Sequence, residues 1–403
     1  MKKGWKTVTL GEVCEFLDRR GVTPEKLGSQ FRSDGFRVIS AKNIKGREID
    51  TTIGEQRFVD EPTYRRWMKS PLMADDVILT SEAPLGEPAY ASEELNWCLG
   101  QRLFGVRSDK SKLKGRFLFY AFQASPVRDD MLSRATGATA QGIRQSELTK
   151  VELPLPPLAE QQRIVGVLDE AFAGLATAQA HAAQNLQNAR ALFESHLQSV
   201  FTHRGKGWVE KRLPEVAREF GRGKSKHRPR NEPKLYGGKY PFVQTGDISN
   251  ADHWLTEYSQ TYSEAGLAQS KLWPRGTVCI AIVGATVGES AILDFEACFP
   301  DSVIGIIVDD YLADREFVEY LLQSFKAVLK EKGKGTARDN INLGTFESQF
   351  FPFPDLKEQK KAVSTLNALA AETQRLTRLY EQKQAALAAL KKSLLHQAFT
   401  GEL

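Results

Sequence analysis

Two segments of the chain carry apolar residues at mostly three- and four-residue spacings, the period of a helix with one buried stripe. The first runs through Ile164, Leu168, Phe172, Leu175, Ala178, Ala182, Leu186, Ala189, Phe193 and Leu197, the second through Val363, Leu366, Leu369, Leu376, Tyr380, Leu387, Leu390 and Leu394. Two narrow stripes of this length bury each other most simply as a coiled coil, the alternative being a pair of ordinary core helices. About 42 residues at about 1.5 Å each give a rod of roughly 63 Å. Each helix opens after a proline-containing extended segment, LPLPPL at 153–158 and FPFPDL at 351–356. Asp355 with Glu358 has the spacing of a capping box. The prolines read as a structural joint rather than as a polyproline ligand, because both copies keep them beside a helix start.

Outside the two helices the pattern shortens. Phe36–Ser40, Asp76–Thr80, Thr277–Val283 and Ser302–Val308 read as strands, the last two dense in β-branched residues. Helical periods return at Arg116–Gln123 and Asp314–Lys332. The globular parts are therefore expected to be mixed α+β domains with a substantial sheet.

The chain is internally duplicated. At a constant offset of 198, Pro154, Pro156, Leu158, Glu160, Gln161, Val165, Leu168, Ser195, Leu197, Phe201 and Thr202 meet identical residues in a second copy. The preceding regions match more loosely. Val38–Ile44 (VISAKNI) answers to Phe242–Ile248 (FVQTGDI), Ala83–Glu87 to Ala285–Glu289, and Gly137–Ile143 to Gly335–Ile341, with the offset drifting between 198 and 204. Like helices joined to unlike globular parts suggest one common dock and two different readers. The boundaries expected are a first globular domain over 1–152, a first long helix over 153–203, a second domain over 204–350, and a second helix with its tail over 351–403.

Connectivity sets the direction of the helices. The second domain begins only a few residues, Thr202 to Lys206, beyond the end of the first helix. Parallel helices would need the chain to travel back some 60 Å, roughly 18 extended residues. Those residues are absent, so the helices are expected to run antiparallel with pseudo-two-fold symmetry, placing the C-terminus near Met1.

Composition adds little and excludes some classes. A net charge of +5 is a weak hint of a polyanionic partner. No apolar run reaches the length of a membrane span, and MKKGWKTVTLGEV does not read as a signal peptide. Cys14, Cys98, Cys279 and Cys298 are scattered without a CxxC, so neither a zinc site nor a disulfide framework is expected. A cytoplasmic location without membrane contact is the expectation.

The candidate chemistry is that of a DNA surface. Gly221–Arg230 (GRGKSKHRPR) holds Arg222, Lys224, Lys226, His227, Arg228 and Arg230 with no acid, a loop able to neutralise phosphates if it is more than a solvated surface. Its shorter counterpart holds Arg19 and Arg20. The matched stretches offer Gln141, Arg144 and Gln145 in the first half and Arg338, Asn340 and Asn342 in the second. These side chains can pair with base edges, a plain connecting loop being the bland alternative. The matched NI and DI turns add Lys42, Asn43, Lys45, Thr245 and Asp247. Enzymatic signals fail: Gly223-Lys224-Ser225 lacks the first glycine of a P-loop, and no dinucleotide fingerprint or metal-ligand spacing is present.

The order domain, helix, domain, helix, the Glu-Gln helix starts and the closing LLHQAFTGEL of Leu394–Leu403 together resemble the specificity subunit of type I restriction-modification systems. The resemblance implies two target-recognition domains, each reading half of a bipartite, asymmetric site in double-stranded DNA. It also implies helices that act as a ruler and dock two methyltransferase subunits, with the helix-end residues Leu197, Phe201, Leu395, Phe399 and Leu403 as candidate contacts. No cofactor is expected in this chain. S-adenosylmethionine would come with the methyltransferase, and ATP and magnesium with as many as two restriction subunits. A coiled-coil scaffold that reads no DNA, and a self-contained methyltransferase or nuclease, are the competing classes.

Overall fold

The computed structural model describes residues 4–137, 141–227, 229–333 and 341–403. The chain divides into two compact units, 1–183 with 382–403, and 184–381.

In the first unit a four-stranded antiparallel sheet runs in the order Cys14–Asp18, Leu103–Ser108, Val77–Thr80, Pro88–Tyr90. Side chains alternate between its faces. Val77, Leu79, Phe104 and Val106 pack with the helix Gly115–Ala121, while Ile78, Ala89 and Leu103 join a second cluster with Ile39, Trp67 and Cys98. The second unit repeats the plan with five strands: Ala217–Arg222, Val303–Val308, Val278–Ala281, Ser290–Leu293 and Trp254–Leu255. Val278, Ile280, Ile304 and Ile306 face Phe317 and Val318 of the helix Arg315–Gly333, and Cys279, Ala291, Leu293 and Val303 face Trp273 and Phe299. Both central strands are thus apolar on both sides, as their unbroken hydrophobic runs require. A smaller sheet flanks each: Phe58–Val59, Phe36–Ile39 and Cys98–Leu99 in the first unit, and four strands centred on Tyr236–Phe242 and Ala297–Cys298 in the second.

The proline segments are strands. Glu152–Leu155 pairs with Lys6–Thr9, and Phe350–Phe353 with Val209–Arg212, so that Pro154 faces Thr7 and Pro352 faces Glu210. In a two-stranded ladder one edge stays unpaired, and a proline without an amide hydrogen fits there.

Both long helices are 45 residues, Leu158–Thr202 and Leu356–Thr400. At the second start the Glu358 amide donates to Asp355 Oδ1 at 2.9 Å, the capping read from the sequence. Along the first helix Leu168, Leu175, Ala182 and Ala189 are buried at a strict seven-residue interval. Within the first unit Arg163 Nη2 donates to the Leu403 carbonyl at 2.7 Å and Lys391 Nζ lies 4.8 Å from the Phe172 ring centre, so the two helical segments run antiparallel. Met1 lies outside the described residues. Within the second unit Arg190 meets Glu381 at 3.4 Å while Leu197 and Phe201 pack in one cluster with Val363 and Leu366, again antiparallel.

One expected seam member is displaced: Leu390 is 48% exposed. The half-buried positions run instead through Thr373, Thr377, Tyr380, Gln384, Leu387, Lys391 and Leu394, in alternating steps of four and three. Lysine and glutamine enter the seam on their aliphatic stems.

Each globular part is fastened to its helix by a buried glutamine. Gln161 Oε1 accepts the Lys114 amide at 2.9 Å, and its Nε2 donates to the carbonyls of Lys112 (2.8 Å) and Pro156 (2.9 Å). Gln359 repeats two of these bonds, with the Asp314 amide and the Pro354 carbonyl, both at 2.9 Å. A polar lock follows about two turns later. Arg116 Nη2 meets Asp169 at 2.8 Å, and Tyr120 also donates to Asp169. In the second unit Tyr320 donates to Asn367 at 2.7 Å, and Asn367 to Glu316 at 2.8 Å.

Candidate DNA interface

The matched loops, distant in sequence, meet at one end of the central sheet in each unit. Strand ends leave backbone groups that neighbouring turns must satisfy. In the first unit the Ser81 amide donates to the Arg102 carbonyl at 2.9 Å, and the Ile143 amide to the Ser81 carbonyl at 3.0 Å. Gly142 forms bridges with Glu82 and Thr136. The Gly100 amide donates to the Ile39 carbonyl at 2.7 Å, and Arg20 Nη1 to the Ile143 carbonyl at 3.2 Å. Segments 18–20, 39–43, 81–86 and 100–102, with residues 136–137 and 141–145, therefore form one edge. A side chain at Gly100 would bring Cβ within 2.5 Å of the Ile39 carbonyl, so glycine permits this approach.

The second unit repeats the first two of these joints and adds two of its own. The Ile282 amide donates to the Ser302 carbonyl and the Ile341 amide to the Ile282 carbonyl, both at 3.0 Å. The Val243 amide donates to the Cys298 carbonyl, and the Gly223 amide to the Val303 carbonyl, both at 2.9 Å. The edge thus recurs with different side chains: Gln101-Arg102 in the first unit stands where Asp301-Ser302 stands in the second.

The first edge borders a cleft of about 390 Å³ whose lining includes Thr23, Ser40, Lys42, Arg57, Gln101 and Arg102. Lys42, Lys45, Gln141 and Arg144 are exposed around it, and Gln145 is half-buried at the start of a short helix. In the second unit Arg222, Lys224 and Lys226 are exposed. Among the described residues no ion pair engages Lys42, Lys45, Lys224 or Lys226, the condition a phosphate contact needs.

Several expected reading residues hold the fold instead. Asn43 is 8% exposed, its Oδ1 accepting the Ser40 amide at 2.9 Å and its Nδ2 donating to the carbonyls of Asp50 (3.0 Å) and Ile53 (2.9 Å). Asp247 likewise accepts from the amides of Gln244 (2.7 Å) and Ser259 (3.1 Å), with Thr245 half-buried beside it. Both turns are therefore backbone staples. Asn342 caps the helix Leu343–Ser348 by accepting the Thr345 amide at 2.9 Å. Arg20 clamps Asp18 (2.7 Å) and lies 4.1 Å over Phe104, and Arg19 is half-buried with a weak bond to the Asp18 carbonyl. Although partial burial raises the Asp18 carboxyl, hydrogen bonds from Arg20 bring it below its ordinary pKa. His227 pairs with Glu232, and Arg230 with Asp301 at 2.7 Å. Arg228, Arg338 and Asn340 lie outside the described residues.

The helix-end residues lie inside the fold. Leu197, Phe201, Leu395 and Phe399 are 2–5% exposed and belong to the cores of their own units, with Leu403 packed against one of them. Buried side chains of this kind hold the helices to the domains.

Sequence reasoning missed Gln101, Arg102 and Glu82, because no single motif contains them. The signal available was the match of CLGQRLFG at 98–105 to CFPDSVIG at 298–305. It also missed the role of Gln161 and Gln359, although both copies carry them.

All four cysteines are free. Among the described residues no cluster of His, Cys, Asp or Glu is arranged to hold a metal ion, and no helix is long and apolar enough to cross a membrane.

Comparison with known proteins agrees with this layout. The chain is 23% identical over 432 residues to the type I restriction enzyme EcoKI specificity subunit of Escherichia coli, covering all of this chain and 90% of that one. Its fold is like that of a chain solved in a study of complex assembly and conformational transition of the type I R-M system, with a TM-score of 0.79, 22% identity, and 100% and 99% of the two chains covered. It is also like the HsdS subunit of Thermoanaerobacter tengcongensis, with a TM-score of 0.62, 21% identity, and 100% and 98% covered. The family model for the type I restriction modification DNA specificity domain matches twice, over residues 2–184 and 205–385, and the chain belongs to that family.

Proposed function

We propose that this chain is a non-catalytic reader in which each unit's loop edge recognises one half of a bipartite, asymmetric site in double-stranded DNA. The observation that carries this reading is the recurrence of one loop edge on two equivalent sheets with unlike side chains, Gln101-Arg102 against Asp301-Ser302. A shared scaffold bearing different donors and acceptors is what two different half-sites require. The exposed lysines supply phosphate contacts, which position the protein without specifying bases.

The long helices carry two methyltransferase subunits that bring S-adenosylmethionine, and a restriction subunit using ATP and magnesium joins that core. Leu192 and Leu390 support two equivalent docks: they stand 198 residues apart and are 59% and 48% exposed. Equivalent exposed leucines in both copies suit one partner bound twice. Mapping DNA methylation in the host with the gene present and deleted tests the reading. The expected result is one bipartite motif, with unlike halves and a fixed spacer, that vanishes on deletion. An unchanged methylation map would contradict it.

A further inference from the structure

Glu82 and Arg102 stand together on the first unit's edge and are not consumed by the fold. Their side chains are 39% and 56% exposed, with Arg102 Nε 3.0 Å from Glu82 Oε1. Among the described residues no hydrogen bond engages the Nη1 and Nη2 side of this guanidinium. Arg20 and Arg107 differ, their guanidinium nitrogens being bonded to Asp18 and Asp76.

The backbone beneath the pair is fixed. The Arg102 carbonyl accepts the Ser81 amide at 2.9 Å, Leu103 is in register with Thr80, and Glu82 is bridged to Gly142. Arg102 is held at φ +70° and Ala83 at φ +44°. Left-handed positions are uncommon for non-glycine residues and persist where the surroundings impose them, often at ligand sites. A rigid turn therefore presents a guanidinium fork beside a carboxylate at the place where the matched loops converge.

That order of groups has a complement in DNA. Across the major groove a G·C pair shows two acceptors on guanine, N7 and O6, followed by the N4 amino donor of cytosine. The free fork supplies two donors and the neighbouring carboxylate an acceptor. We propose that Arg102 and Glu82 together read one G·C pair in the half-site contacted by the first unit, an inference that rests on the DNA-reading assignment above. The second unit does not repeat the device. There Ser302 replaces the arginine, and both Asp301 oxygens are taken by Arg230 at 2.7 Å.

The test uses the full chain in complex with its modification subunits and a duplex library randomised across both half-sites. The unmodified complex is expected to require a G·C pair at one position of one half-site. Arg102→Gly relieves the left-handed backbone, so it keeps the fold, and preference at that position alone is expected to fall roughly 10- to 100-fold. Arg102→Lys keeps the charge and the salt dependence but loses the paired donors, so it too loses that preference. Glu82→Gln weakens it less. If Arg102→Gly melts with the unmodified protein and selects the same bases at every position, the pair does not read DNA, although the chain still does. If the unmodified complex selects no sequence at all, the reading and this inference fall together.

Discussion

Replacing Gln161 by leucine probes the joint that sets a recognition domain on its helix. Gln161 is fully buried and makes three hydrogen bonds, to the Lys114 amide and to the carbonyls of Lys112 and Pro156. Leucine fills much of the same volume but satisfies none of these groups. A buried group left unpaired costs about 1–3 kcal/mol, and the added apolar burial offsets about 1 kcal/mol. The expected loss is about 3 kcal/mol. For a unit of this size that lowers the melting midpoint by roughly 6–12 °C. Gln359→Leu leaves only two groups unpaired, the Asp314 amide and the Pro354 carbonyl, so its loss should be smaller, about 2 kcal/mol. Differential scanning calorimetry of the full chain measures both. A Gln161→Leu midpoint within 2 °C of the unmodified protein would refute the joint, and so would a larger loss for Gln359→Leu.

The second unit should weaken as pH rises. His253 is held between Glu319 and Glu316 and stacks on Tyr320 at 4.2 Å. Burial lowers its pKa, but the hydrogen bonds and charges of Glu319 and then Glu316 outweigh burial and raise it. A raised folded-state value means the stabilisation is complete below the unfolded value of about 6.5 and is lost as pH climbs through the folded value. Urea midpoints should therefore fall toward alkaline pH and flatten in His253→Gln, and an identical slope in that variant would count against the cluster. Lys224→Ala with Lys226→Ala should weaken binding to all duplexes alike and reduce the slope of log K against log salt by about 2; a change confined to one sequence would reassign them as base contacts. Asn43→Ala should lower stability by about 2–4 kcal/mol, read by denaturant unfolding, because it strips a buried staple of its partners. An unchanged midpoint with altered base preference would return Asn43 to the reading edge.

Much of the fold was legible because its signals are local or repeated. The helices announced themselves by period, their direction by the short link at Thr202 to Lys206, and the duplication by identities at a fixed offset. The seam was harder. Lys391 and Gln384 occupy it while Leu390 faces outward, because in alanine-rich helices register is set by contacts with the partner helix rather than by hydrophobicity alone. The reading edge was only partly legible, since strand pairing assembles it from segments as distant as Arg20, Arg102 and Ile143. Asn43, Asp247 and Asn342 show the deeper difficulty. The donor and acceptor pattern that suits a base edge suits an unsatisfied backbone amide equally well, and only three-dimensional surroundings distinguish the two uses.

The two edges are expected to touch different halves of one target. A photo-crosslinking group attached at Gln101→Cys, and in a separate protein at Lys224→Cys, tests it directly on the complex bound to its site. Crosslinks are expected from the first to bases of one half-site and from the second to the other half-site. Crosslinks from both positions to the same half, or to flanking DNA without regard to sequence, would contradict it.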